Sequence, residues 1–264
     1  MSLLDTEKQF HLNVSAGEVG RYVILPGDPG RVARIAQHLE EAGPVASNRE
    51  YTTYTGRLCG EPVSVVSTGI GGPSAAIALE ELVKCGAHTF IRVGTSGGMD
   101  TKVVGGDLIV AAAAVRAEGT SREYLPPGYP AVANFEVVSA LAEAAVALSE
   151  DADGRRCHVG VVQSKDSFYG ETNPETMPVR EMLDEHWQGY LRCGCLTSEM
   201  ECAALFSVGL ARGVRVGAVL TALWNVERFN AGLPDPVCHD SARAIQCAVE
   251  AIRKLIAADV RGRV

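Results

Sequence analysis

The chain has no basic block. Its 264 residues carry 24 lysines and arginines against 32 aspartates and glutamates, a formal net charge of -8. That balance argues against nucleic acid and against an anionic membrane surface as general partners. It leaves room for a local cationic pocket that takes a small anion. Long apolar runs are missing too. None is long enough to span a bilayer, and no apolar stretch near the N-terminus reads as a signal peptide, so the expected location is the cytoplasm. The eight cysteines lack a framework pattern. Most sit in apolar segments, such as Cys85, Cys202 and Cys247. The close pair Cys193-Gly194-Cys195 lacks the two-residue gap of zinc knuckles and thioredoxin-like sites, so reduced core thiols are expected. No internal repeat, low-complexity tract or interdomain linker divides the chain. Residues 1–264 are therefore read as one domain with ample core.

What the chain does have is an alternation of strands and helices. Short apolar, β-branched runs mark strands at Tyr22–Pro26, Val63–Ser67, Asp107–Val115, Val159–Gln163 and Val214–Leu220. Another strand ends at Thr89-Phe90-Ile91, and one runs from Asn48 to Leu58, joined to Val63–Ser67 by a hairpin turn. Helices are expected over Val32–Leu39, Ser74–Lys84 behind Pro73, Phe135–Leu148 behind Asn134, and Ser198 to Arg212. A last helix, capped by Asp240, carries Ile245, Ala248, Val249, Ile252, Leu255 and Ile256 on one face. Glu171–Gly194 reads as a flap or insertion and Glu227–Pro236 as a loop. The fold class is α/β, a mixed central sheet flanked by helices.

Three glycine-rich stretches follow strands: Gly27-Asp28-Pro29-Gly30-Arg31, Thr68-Gly69-Ile70-Gly71-Gly72-Pro73-Ser74 and Arg92-Val93-Gly94-Thr95-Ser96-Gly97-Gly98. Glycine lets a ligand sit close to peptide N–H groups. An arginine beside such a stretch adds a bidentate donor for phosphate. The alternative is a tight turn with a solvated arginine. Arg31, in a first helical turn, opposes the helix dipole, which is easier to understand if it binds an anion. Ser198-Glu199-Met200-Glu201 has the spacing of a capping box, a structural role for Glu201.

Taken in order, these stretches, with Arg49-Glu50-Tyr51-Thr52-Thr53 and Glu199-Met200-Glu201, resemble the hexameric nucleoside phosphorylase family, and within it the uridine phosphorylase branch. The likeness runs from Phe10-His11-Leu12 to the C-terminal helix. It implies a pentosyltransferase of nucleoside salvage and catabolism. Inorganic phosphate, as co-substrate, would attack a nucleoside to release the base and (deoxy)ribose 1-phosphate, with no organic cofactor. It implies a phosphate site of Gly27, Arg31, Arg92 and Thr95, joined by Arg49 of a neighbouring subunit. Met200 and Glu201 would hold ribose, with His11 reaching across the same interface, and Phe168 would lie against sugar and base. Arg92 and Glu201 would carry the catalysis. The implied assembly is a homo-oligomer, a trimer of dimers with shared active sites, and Glu50, Ile70 and Ser74 match a potassium-type cation site at that interface.

The base-reading half departs from the pattern. Uridine phosphorylases carry a Gln-x-Arg pair after Phe-Tyr, whereas here Phe168-Tyr169 is followed by Gly170-Glu171-Thr172-Asn173-Pro174. The later arginine of that branch and the purine-type aspartate are both absent from Thr221-Ala222-Leu223-Trp224-Asn225. Candidates for the missing donors are Gln163, Lys165, Asn173 and Arg228, with Trp224 either stacking on a base or packing. Lys165 is either a cation for the departing base or a lysine paired with Asp166. A purine nucleoside phosphorylase and a nucleoside-binding protein with little turnover are the alternatives to uridine cleavage.

Overall fold

The structure is a computed structural model that describes residues 7–150 and 154–262. Its strands are β1 (Tyr22–Pro26), β2 (Glu40–Asn48), β3 (Tyr51–Leu58), β4 (Glu61–Val66), β5 (Thr89–Gly98), β6 (Leu108–Ala117), β7 (Ala131–Val132), β8 (Cys157–Lys165), β9 (Thr197–Glu199) and β10 (Arg215–Asn225). They form one mixed sheet in the order β10-β6-β8-β9-β5-β1-β4-β3-β2, with β7 on β6 and a further pairing of β10 with β5. That last pairing closes β5, β10, β6, β8 and β9 into a ring, from which β1, β4, β3 and β2 extend as a wing.

Helices cover both sides: α1 (Gly30–Ala36), α2 (Gly72–Lys84), α3 (Phe135–Glu150), α4 (Phe168–Thr172), α5 (Arg180–Arg192), α6 (Cys202–Arg212), α7 (Val226–Asn230) and α8 (Ala242–Arg261). One core gathers Leu79 and Leu82 of α2, Leu205 and Phe206 of α6, and Leu25, Phe90 and Leu220 from the sheet. The other gathers Val32 of α1, Leu141 of α3 and the expected face of α8 against Ile24, Ile91 and Val219. Alternate strand residues thus feed opposite cores, as the two-residue strand period requires. All eight cysteines are free thiols: Cys85, Cys195, Cys202 and Cys247 are buried, while Cys59 and Cys193 are exposed.

β5 organises the molecule. It pairs with β1 through Val93 and with β9 from Gly97, while β10 follows it along its other edge from Thr89 to Gly98. Between the two partners on the first edge, Gly94–Ser96 has no strand neighbour among the described residues. The glycine-rich stretch is therefore not the turn expected after Ile91 but a strand with one open edge.

Other expectations are corrected as well. Ser198 and Glu201 do not form a capping box, because Thr197–Glu199 is strand β9 and α6 starts at Cys202. The group that caps α6 is the Glu199 carboxylate, which accepts from the N–H groups of Glu201 at 2.8 Å and Cys202 at 2.9 Å. The Glu171–Gly194 segment contains α5, none of whose residues is buried. The loop expected from Glu227 begins inside α7.

The sheet and α8 are tied by one part-buried cluster. Arg215 at the start of β10 donates to both Asp259 carboxylate oxygens, at 2.8 and 2.5 Å, and the Tyr22 hydroxyl donates to the same carboxylate at 2.7 Å. Hydrogen bonds from Arg215 are the largest cause holding Asp259 below its ordinary 3.8. Asp259→Asn is expected to lower stability by about 2 kcal/mol at neutral pH, the scale of a charge-assisted hydrogen bond. A carboxyl with a depressed native pKa stabilises above its unfolded value and loses that effect as pH falls through the native value. Urea midpoints of the two proteins should therefore converge on acidification below about pH 3.8.

Candidate active site

The parallel strands β1, β4, β5 and β10 present their carboxyl ends to one rim, where α/β sheets place ligands. A cavity of about 730 Å³ opens there. Its floor includes the open edge of β5, Gly94–Ser96, together with Gly27, Arg31 and Arg92.

Arg92 points inward from β5 with only 5% of its side chain exposed. Gly94 follows it on the same face of the strand. A Cβ there would lie 2.7 Å from Arg92 Nη2 and 2.7 Å from Leu220 Cδ2, so only glycine lets the guanidinium lie along the strand. Arg92 Nη2 is 2.5 Å from Glu201 Oε2, and its Nε is 3.2 Å from Glu199 Oε2. Nη1, also buried, has no hydrogen-bond partner among the described residues. Burial disfavours the charged guanidinium, but Glu201 and Glu199 outweigh it and hold the pKa above the ordinary arginine value.

Arg31 reaches the same cavity from α1. It is held loosely, with Nη1 3.5 Å from the Val93 carbonyl and Nε 3.9 Å from Asp28. Burial first and the charge of Arg92 second push its pKa down. A guanidinium pushed down by its neighbour's charge, beside one with a bare buried donor, suits an anion. Thr95 lines the cavity beside them.

Glu201 stands above. Its Oε1 accepts from the Gly71 N–H at 2.6 Å, and Gly71 has φ of 93°, a conformation that glycine adopts without strain. Burial is the main cause that raises the Glu201 pKa; Arg92 opposes it and Glu199 adds to it. Met200 lines the cavity next to it. A carboxylate poised over an anion cradle suits a polyhydroxylated group, since one acid accepts from two vicinal hydroxyls.

Residues 21–256 match the model of the phosphorylase superfamily. The chain belongs to that family. It is 52% identical over 254 residues to a uridine phosphorylase of Treponema pallidum, covering 96% of both chains. It is 37% identical over 255 residues to a uridine phosphorylase of Escherichia coli, covering 94% of this chain and 98% of that one. A guanosine phosphorylase of Halorubrum lacusprofundi is 38% identical over 255 residues, covering 94% of this chain and 99% of the relative. The mixed sheet flanked by helices agrees with the fold expected for this family.

The other candidates of this phosphorylase fall into three groups. Lys165, Phe168 and Trp224 line the cavity, as do Glu50, Ile70 and Ser74. Ser74 Oγ lies 2.7 Å from Glu50 Oε1 and 2.5 Å from the Thr68 carbonyl. Gln163, Asn173 and Arg228 are not among the lining residues: Gln163 is buried, Asn173 is exposed, and Arg228 is bound by the Pro234 and Thr101 carbonyls. His11 and Arg49 are not among the residues that line this chain's own cavity, although Arg49 directly precedes Glu50, which is. His11 Nδ1 is 2.6 Å from Glu81 in a separate groove. Arg49 is exposed at the β2–β3 turn with φ of 53°.

Two residues that face the cavity were not singled out from the sequence. Glu199 lay inside the Ser198-x-x-Glu201 spacing with no role assigned to it, and its contact with Arg92 emerges only when β9 meets β5. Glu171 was noticed only as the absence of glutamine. It is the partner of Lys165, whereas Asp166 accepts instead from the Gly119 N–H.

Gly94→Ala tests the floor directly. The added methyl must displace the Arg92 guanidinium or Leu220. Inorganic phosphate affinity, measured by calorimetry, is expected to fall at least tenfold while circular dichroism stays that of the parent.

Proposed function

We propose that the protein cleaves nucleosides with inorganic phosphate, uridine-type pyrimidine nucleosides foremost, and releases the free base and (deoxy)ribose 1-phosphate. The observation that carries this reading is the cradle of Arg31 and Arg92 beneath Glu201 at the open edge of β5. The relatives named uridine phosphorylase support the choice of base. Phosphate would sit on Gly27, Arg31, Arg92 and Thr95, ribose under Met200 and Glu201, and the base against Phe168 and Lys165. Breaking the glycosidic bond builds positive charge at the anomeric carbon and negative charge on the base. A phosphate dianion below the sugar is both nucleophile and counter-charge, so the guanidiniums act by positioning and electrostatics rather than by proton transfer. A nucleosidase that uses water would leave both guanidiniums without an anion.

The position of His11 in a separate groove and the exposure of Arg49 are compatible with an assembly in which each completes a neighbour's site, a trimer of dimers. Glu50, Ile70 and Ser74 would take a monovalent cation at that interface. A hydrogen bond from Ser74 is the main cause that keeps the Glu50 carboxyl below its ordinary range, and charged and hydroxyl oxygens suit a hard cation. Among the described residues no helix is long and apolar enough to cross a membrane. We place the reaction in nucleoside salvage in the cytoplasm.

Base release from uridine should require phosphate and yield the sugar 1-phosphate, and Arg92→Lys, which keeps the charge that Glu199 and Glu201 need, should lower kcat/KM by about 100-fold or more with the fold intact. Equal turnover without phosphate, near-parental turnover in the variant, or nucleoside binding without any cleavage would overturn the reading. Faster cleavage of guanosine or inosine than of uridine would move the substrate to the purines, as the Halorubrum relative suggests. In native mass spectrometry, the assembly is expected as an even-numbered oligomer, and a monomer would contradict the shared site.

A further inference from the structure

The base end of the cavity carries charge that the phosphate and ribose sites do not use. Lys165, the last residue of β8, has 11% of its side chain exposed, and Glu171, on α4, has 16%. Lys165 Nζ donates to Glu171 Oε1 at 2.5 Å and to the Ser198 hydroxyl at 2.7 Å, and that hydroxyl donates to Glu171 Oε2 at 2.7 Å. Lys165 Nζ is 5.9 Å from the centre of the Phe168 ring. All four residues line the cavity.

Hydrogen-bond capacity shows what this cluster can still do. An ammonium has three donors, and two are taken here. Each carboxylate oxygen has two acceptor sites, and each of Glu171's oxygens accepts one bond within the cluster. One donor on Lys165 and acceptor sites on Glu171 therefore stay available side by side. A nearly buried ion pair contributes little to stability compared with apolar packing, so packing alone gives little reason for it. Side by side, a donor and an acceptor match a ligand edge with a carbonyl next to a ring N–H.

We infer that the Lys165–Glu171 pair reads the lactam edge of the nucleobase, with Glu171 accepting from the ring N–H and Lys165 donating to the neighbouring carbonyl. The inference rests on the phosphorolysis reading above and specifies its base. Uracil, thymine, hypoxanthine and guanine carry such an edge. Cytosine and adenine present a ring nitrogen acceptor beside an amino donor, and would set acceptor against acceptor at Glu171 and donor against donor at Lys165. Lys165 has a second effect: as the C1′–N bond breaks, the electron pair goes to the base, and the ammonium at the carbonyl stabilises the anion so formed. The Gln-x-Arg pair of the uridine phosphorylase branch is thus replaced by a lysine from before Phe168 and a glutamate from after it.

The test compares uridine, 3-methyluridine (both carbonyls kept, the ring N–H replaced by N–CH3) and cytidine as substrates of the parent enzyme and of Glu171→Leu. In the parent, uridine should exceed both others in kcat/KM by at least about 100-fold, because a site built for a polar group rejects an analogue that lacks it. In Glu171→Leu, uridine should drop towards 3-methyluridine while 3-methyluridine does not fall. Lys165→Met should lower kcat more for uridine than for 5-fluorouridine, whose base leaves as a more stable anion. A pair that only braces α4 would lower all substrates by one common factor, and that result overturns the inference. Equal cleavage of uridine and 3-methyluridine by the parent overturns it without any variant. Phosphorolysis without base preference sinks this inference alone, whereas absence of phosphorolysis on every nucleoside sinks the proposed function with it.

Discussion

A guanidinium almost sealed from water, held by two carboxylates that are themselves sealed, is the constraint to which the rest of the structure conforms. Burying either charge alone would be prohibitive. Arg92 needs Glu199 and Glu201 on one side, and each of those needs its own donors. Glu199 takes the N–H groups of Glu201 and Cys202 and the Ser164 hydroxyl. Glu201 takes the Gly71 N–H. One side chain of β5 thus fixes where α6 begins, why the chain after β4 turns through glycine, and why the residue two places beyond Arg92 has no side chain.

Topology supplies what the charges exploit. Because β1 leaves β5 at Val93 and β9 joins only at Gly97, three residues of a central strand keep an open edge without the strand becoming an edge strand. β10 holds them from the other side. The result is rigid backbone facing a cavity, a better platform for positioning a nucleophile than a mobile loop would be. Closure of the ring through β5 and β10 makes this possible.

Much of this was legible in the residues themselves. The strand-helix alternation gave the α/β class. The glycine-rich stretches beside Arg31 and Arg92 stood out as candidate anion sites with a plain turn as the alternative, the set of Gly27, Arg31, Arg92 and Thr95 came from the family resemblance, and the apolar face of α8 followed from its period. What was not legible depended on long-range meetings. β2 escaped notice because it is a mostly exposed strand with no alternation. The capping box at Ser198 had the right spacing, yet residue 198 belongs to a strand: pairing of β9 with β5 and β8 outweighed the local helix signal. Glu171 and Lys165 are six residues apart and meet Ser198 only across 27 and 33 residues. No local pattern records such a cluster.

The fork geometry of Arg92 links the two halves of the proposed reaction. Its Nη2 is committed to Glu201, while Nη1 has no partner among the described residues. In a planar guanidinium these two nitrogens sit on one rigid frame. An anion on Nη1 and a sugar held by Glu201 are then set at a distance fixed by covalent geometry rather than by loop positions. Arg31, more weakly held, can adjust to the anion from the other side. Lysine at position 92 would supply the charge but not the frame. In the proposed reaction it is the frame that would place a nucleophile under the anomeric carbon, so orientation, more than attraction, is what the buried arginine would contribute.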